Sequence, residues 1–167
     1  MSYDDRPTFY LDNNTECPIR AGGVLFYRKN PETENYDIML IYSRKHYEDF
    51  GGRTDKKDKS IIHTVAREVY EESNKIFKKK FIRSKLRKTE PIYIKYCKYV
   101  LYLVELKYYY DPSIFDDREY HDNIYRTIEW ISFEQFKSPE FQKKLNFRLK
   151  ISGVINKLED LFIQHQT

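Results

Sequence analysis

Three glutamates and an arginine crowd the segment REVYEE: Arg67, Glu68, Glu71 and Glu72. They follow a glycine pair, Gly51 and Gly52, in the stretch YEDFGGRTDKKDKSIIHTVAREVYEES. Residues 60–73 carry apolar side chains at 61, 62, 65, 66 and 69, the spacing of a helix, with Ser60 where an N-cap belongs. At about 100° of rotation per residue, Ile61, Ile62, Val65 and Val69 share one apolar arc, Glu68 falls at its border, and Glu72 falls inside it. A carboxylate aimed at a core is costly unless a cation or hydrogen bonds accompany it. Glu68 also repels Glu71 and Glu72 at i, i+3 and i, i+4, in the helical half where the macrodipole disfavours negative charge. A positive partner is missing from this helix.

Two readings of these residues are open. One is a solvated helix face with ordinary ion pairs. The other is a hard divalent cation, Mg²⁺ or Mn²⁺, since clustered carboxylate oxygens are what such ions bind. Arg67 would then hold one carboxylate by a forked hydrogen-bond pair. The glycine pair would let the backbone approach closely and offer a carbonyl as a further ligand.

The elements that must position these groups read as a mixed α/β order. AGGVLFYRK (21–29) and YDIMLIYSR (36–44) are strands joined by the turn-rich NPETENY. PIYIKYCKYVLYLVEL (91–106) reads as one long strand, 108–123 as an acidic loop, and YRTIEWISF (125–133) as another strand. Residues 139–166 read as mostly helical, interrupted near Gly153. The 167 residues suit one domain spanning 1–167, and nothing in them repeats at a fixed period.

Composition excludes little else. No apolar run approaches the roughly 20 residues of a membrane span, and the first residues lack a secretory pattern, so a cytoplasmic location is expected. Cys17 and Cys97 are too few for a disulfide framework and lack zinc-site spacing, so both are expected to be reduced. His46, His63 and His121 lack ligand spacing and read as ordinary polar residues. The net charge of +4 permits a polyanionic partner without demanding one.

The segment resembles the Nudix box, G-x5-E-x7-R-E-U-x-E-E-x-G-U with U aliphatic. REVYEE matches the core of that pattern, and the lead-in AGGVLFYRK, DIMLIYSRK, YEDFGGRTD and the later IEWISFEQF are similar to the surrounding Nudix elements, so the likeness covers roughly 18–136. Asp58 stands where the box has its first glutamate, and its distance to Arg67 is one residue longer than the pattern. Asn74 replaces the terminal glycine and Lys75 the aliphatic residue after it.

The resemblance implies an α/β/α sandwich with a mixed sheet and a metal-dependent hydrolase of a diphosphate linked to another group. Carried over by position, Glu68 and Glu72 are metal ligands, Glu71 is a ligand or a water-positioning group, Gly52 supplies a carbonyl, and Arg67 orients Glu68. The general base is Glu68 in some members and a later carboxylate in others. Asp116, Asp117, Glu119, Asp122 and Glu129 are the candidates for that later group. Many such proteins are dimers, so a homodimer is a candidate assembly.

The substrate class is left as a choice. The basic run Lys78, Lys79, Lys80, Arg83, Lys85, Arg87, Lys88 reads either as a lysine-protected edge strand or as a surface for polyphosphate or RNA. Tyr93, Tyr96 and Tyr99 could stack a base, although core packing explains them more cheaply. The leading expectation is a pyrophosphohydrolase acting on a nucleoside diphosphate derivative, with the RNA cap as one substrate. The alternatives are diphosphoinositol or dinucleoside polyphosphates, or a catalytically silent Nudix fold used as a binding module.

Overall fold

Period-two alternation sorts the strand residues onto two faces, and each face meets its own set of helices. The computed structural model describes residues 4–151 and 153–165. Its strands are β1 (Phe9–Tyr10), β2 (Pro18–Ile19), β3 (Ala21–Lys29), β4 (Tyr36–Ser43), β5 (His46–Glu48) and β6 (Phe50–Arg53). Helices α1 (Ile61–Glu72) and α2 (Lys79–Leu86) precede β7 (Ile92–Ile94), β8 (Tyr99–Glu105), β9 (Arg118–Glu119), β10 (Ile124–Tyr125) and β11 (Thr127–Ser132). Four helices close the chain: α3 (Phe133–Lys137), α4 (Pro139–Gln142), α5 (Phe147–Ile151) and α6 (Val154–Gln164).

The main sheet runs β11-β4-β3-β8-β7, with β5 paired to β4 and β6 to β3. Among the strand pairs of the described residues in this sheet only β3–β8 is parallel, so the sheet is mixed. Val24 and Phe26 of β3 point to one face, where they pack with Val65 and Val69 of α1 and with Phe77, Ile82 and Leu86 at α2. Leu25 and Tyr27 point to the other, toward Phe136, Leu149, Leu158 and Phe162. Tyr36 stacks on Phe162 with ring centroids 3.8 Å apart, fixing α6 against that face. The arrangement is an α/β/α sandwich.

Two expectations fail. Residues 91–106 are not one strand: β7 turns back through Lys95–Cys97 and a left-handed Lys98 (φ 52°) to pair antiparallel with β8. The reversal carries no Gly, Pro or Asn, so local chemistry gives no turn signal. The basic run is helix α2 rather than an edge strand, because Ile82 and Leu86 are both buried on one side. Apolar residues four apart satisfy both the helical and the strand period, and the strand reading rested on that ambiguity.

The break near Gly153 is present, with Gly153 in left-handed conformation (φ 69°) at the start of α6. The chain before α5 hugs the edge of β5: Tyr47 N–H donates to Lys144 O and Asn146 N–H to Tyr47 O, each at 2.8 Å. Cys17 and Cys97 are free thiols. Among the described residues no helix is long and apolar enough to cross a membrane.

Candidate active site

Helix α1 begins at Ser60, whose hydroxyl accepts from His63 N–H at 3.2 Å. Val65 and Val69 sink into the sheet, and that burial fixes the rotation of the helix. Its acidic side is thereby laid across β6. The glycine pair is what permits contact. Gly22 pairs with Gly52 and Gly23 with Gly51 across β3 and β6. A Cβ at Gly52 would collide with the Glu68 carboxylate, while Gly51 N–H donates to Glu72 Oε1 at 2.6 Å.

Arg67 is fully engaged. Its Nε and Nη2 donate to the two carboxylate oxygens of Asp58 at 3.1 and 3.0 Å, Nη2 also reaches Arg53 O at 3.0 Å, and Nη1 donates to Glu68 Oε1 at 2.9 Å. Glu71 lies 3.6 Å from Nη1. Asp58 additionally accepts from Thr64 Oγ1 and Asp55 N–H. Burial works to raise its carboxyl, yet the hydrogen bonds from Arg67 and Thr64 outweigh it and hold Asp58 below the usual range. Asp58 is thus the anchor of the arginine that touches Glu68.

The late carboxylates separate cleanly. Glu119 on β9 is only 7% exposed and lines the same cavity as Glu72. Asp116, Asp117 and Asp122 are exposed, and the first two meet Arg126 through their backbone carbonyls. Glu129 packs on the opposite face of the sheet, accepting from Tyr47 Oη at 3.2 Å and Thr127 Oγ1 at 3.0 Å. Strand alternation explains this, since Ile128, its neighbour, takes the α1 face.

Three participants escaped the sequence reading. Glu48, just before the glycine pair, lines the cavity beside Glu72 and Glu119. Buried Arg126 donates to Asp116 O (2.6 Å), Glu72 O (2.8 Å) and Phe115 O (3.0 Å), tying the acidic loop to the end of α1. Alternation pointed to its burial, because Arg126 shares a face with Ile128 and Trp130, which pack on the α1 side. His121 stands 3.8 Å from Glu71, a contact that sequence spacing does not encode.

The electrostatics are those of a partly compensated cluster. Burial, opposed by Arg67 and reinforced by Glu71 and Glu119, pushes Glu68 up to about 7. Burial and then Glu68, Glu48 and Glu119 raise Glu72 well above the carboxylate range. Burial and Asp122 raise Glu119. The nearby arginines answer this charge only in part: Arg67 is shared between Glu68 and Asp58, and the hydrogen bonds of Arg126 go to backbone carbonyls, with its Nε unpartnered among the described residues. Among the described residues no three acidic, His or Cys groups already stand in metal-ligating geometry. Even so, an all-oxygen donor set of three glutamates facing one shared arginine fits a hard divalent ion.

The cavity above Glu72 and Glu119 has a volume of about 490 Å³ and is walled by Arg44, His46, Phe147 and Lys150. A second cavity, also about 490 Å³, lies beside Glu71 and is lined by Tyr70, Lys79, Tyr120 and His121. Lys85 and Lys88 line a third, elsewhere on the surface, with Lys107 and Lys157. The basic run is therefore divided between cavities; Lys78, Lys80 and Arg87 are exposed and Arg83 is half-buried. Of the three tyrosines, Tyr99 is buried on Asp49, Tyr93 donates to Pro18 O at 2.8 Å, and only Tyr96 is exposed, edge-on to Phe147.

No protein-family model matches the chain, and no curated protein sequence matches it either. Solved structures do. An Ap4A hydrolase from C. elegans, in a binary complex, superposes with a TM-score of 0.56 at 16% identity, covering 87% of this chain and 99% of that one. The NUDIX domain of Shewanella oneidensis NrtR, complexed with ADP ribose, gives 0.52 at 10% identity, covering 85% and 86%.

Proposed function

We propose, from a chain that has the Nudix fold, a metal-dependent pyrophosphohydrolase that cleaves the diphosphate linkage of a nucleoside diphosphate derivative. The observation that carries the reading is the half-buried glutamate cluster of α1, which Arg67 answers only in part and whose Glu72 opens into a cleft with Arg44, Lys150 and Phe147 on its walls. Glu68 and Glu72, with Glu71 and the Gly52 carbonyl as further donors, would hold Mg²⁺ or Mn²⁺. When bound, that ion would neutralise phosphate oxygens and make water a better nucleophile.

The chain's own groups do the rest. Arg67, fixed on Asp58, orients Glu68; Arg44 and Lys150 draw in phosphates, and Phe147 offers a ring to a base. Glu119 positions the attacking water. The water oxygen bonds to one phosphorus, a proton passes to the Glu119 carboxylate, and the bridging P–O bond breaks with its electron pair on the departing phosphate. The second hydrogen stays on the product phosphate until solvent takes it.

A dinucleoside polyphosphate is the second reading, favoured by the two cavities that flank the acidic end of α1, each with an aromatic ring and a cation. The structural likeness to an Ap4A hydrolase agrees with it. The test is a hydrolysis panel with Mg²⁺ or Mn²⁺: ADP-ribose-like nucleotides, dinucleoside polyphosphates, m⁷G-capped RNA and diphosphoinositol phosphate. Turnover of one class, lowered about 10³-fold by Glu72→Gln, is the expected result. Silence on every substrate, with no Mn²⁺ bound, would assign the chain to binding rather than catalysis.

A further inference from the structure

The departure of Asn74 from the box has a structural counterpart. The chain leaves α1 through two left-handed residues, Asn74 (φ 53°) and Lys75 (φ 70°), closed by Lys75 N–H to Tyr70 O at 2.8 Å. Glycine is the natural occupant of such an exit, and asparagine is the next most tolerated residue. Backbone geometry alone therefore gives no reason to prefer asparagine here.

The side chain supplies one. Asn74 Nδ2 donates to Phe115 O and Arg118 O, each at 2.7 Å, and Oδ1 accepts from Tyr120 N–H at 3.1 Å. Two acceptors lie on the nitrogen side and one donor on the oxygen side, so all three contacts suit a single orientation of the amide. The bonds to Arg118 and Tyr120 hold the residues on either side of Glu119. Within the hairpin itself β9 and β10 pair over two residues each, and Arg126 ties the segment before β9, not the residues flanking Glu119, to the end of α1.

We propose that Asn74 is a positioning residue, fixing the Glu119 carboxylate in the cleft by gripping the residues on both sides of it. The glycine of the usual motif could form the helix exit but not this grip. The catalytic half of the inference rests on the hydrolase reading; the structural half does not.

Asn74→Gly tests it, because glycine keeps the left-handed exit and removes only the amide. Hydrogen exchange of residues 116–123 is the first readout, and at least tenfold faster exchange at Tyr120 is expected, with the amides of α1 unchanged. The second is kinetic: kcat falling about 10- to 100-fold with KM within about threefold, and Asn74→Gly/Glu119→Gln no slower than Glu119→Gln alone. Unchanged exchange would overturn the proposal, whether or not the protein turns over. A full Asn74→Gly penalty persisting beside Glu119→Gln would overturn it as well, showing that Asn74 acts elsewhere. Failure of the wild type to hydrolyse any substrate would count against the hydrolase reading alone and leave the exchange result to decide the grip.

Discussion

Two aspartate–arginine pairs flank the glycines of β6, chemically alike and differently used. Asp58 receives Nε and Nη2 of Arg67, and Asp49 receives Nε and Nη2 of Arg148, the latter at 2.9 and 2.5 Å. Both aspartates are buried. Arg67 has a nitrogen left over, and it goes to Glu68. Arg148 instead lies over the ring of Tyr99, 4.7 Å from its centroid, while Tyr99 Oη donates to the second Asp49 oxygen at 2.5 Å. The first pair aims a carboxylate; the second spends its hydrogen bonds on Asp49 and pins α5 to the sheet, with only a longer contact, 3.9 Å, to Glu48 at the cavity edge. A buried aspartate–arginine pair is thus evidence of function only when a donor points out of it toward another carboxylate.

The sharpest way to break this contrast is Arg148→Met. Removing one partner of a buried pair should cost about 3–5 kcal/mol in urea unfolding, while the folded fraction keeps its kcat to within about tenfold. If kcat fell further, the Asp49 pair would belong with the site. Adding Asp49→Asn should restore about half of the lost stability, because the stranded charge is gone.

Next in size is Arg67→Lys, where a point charge replaces a fork. Hydrolysis should fall about 10- to 100-fold, equivalent to ~1.4–2.7 kcal/mol, with a stability loss smaller than that of Arg148→Met. Equal losses in both assays would erase the distinction between the pairs.

The smallest effect expected is that of Asp58→Asn, about 1–2 kcal/mol at pH 7, and it has a defined pH course. The folded Asp58 carboxyl lies below the ordinary aspartate value of 3.8. Its contribution is therefore complete above about pH 4 and lost as pH falls through the lower folded value. The stability gap between wild type and variant should close below about pH 4 in acid unfolding; a gap constant down to pH 2 would mean that the pairing is not what Asp58 contributes.

The pairs also show what a sequence makes legible. Arg67 and its carboxylates share one helix, so spacing alone brings them together, and the strands 21–29 and 36–44 were readable from composition and alternation. Arg148 and Asp49 lie 99 residues apart, and nothing local marks their meeting. The same holds for His121 on Glu71 and for Arg126 behind Glu72. Glu119 could be listed among five carboxylates but not chosen, because the choice depends on a hairpin that Asn74 secures from outside it.

The glycine ladder of β3 and β6 brings these networks within a peptide of each other. On one face Gly22 and Gly52 leave room for Val65 and Glu68; on the other Gly23 and Gly51 leave room for the Tyr99 hydroxyl and Asp49. Gly51 meets Tyr99 with its α-carbon and Glu72 with its amide. The sheet has no side-chain padding there, so the partition between scaffold and catalytic surface is a single backbone thick. Alanine at Gly52 would strike the Glu68 carboxylate and alanine at Gly51 the Tyr99 hydroxyl, so two adjacent substitutions in one strand would injure opposite networks.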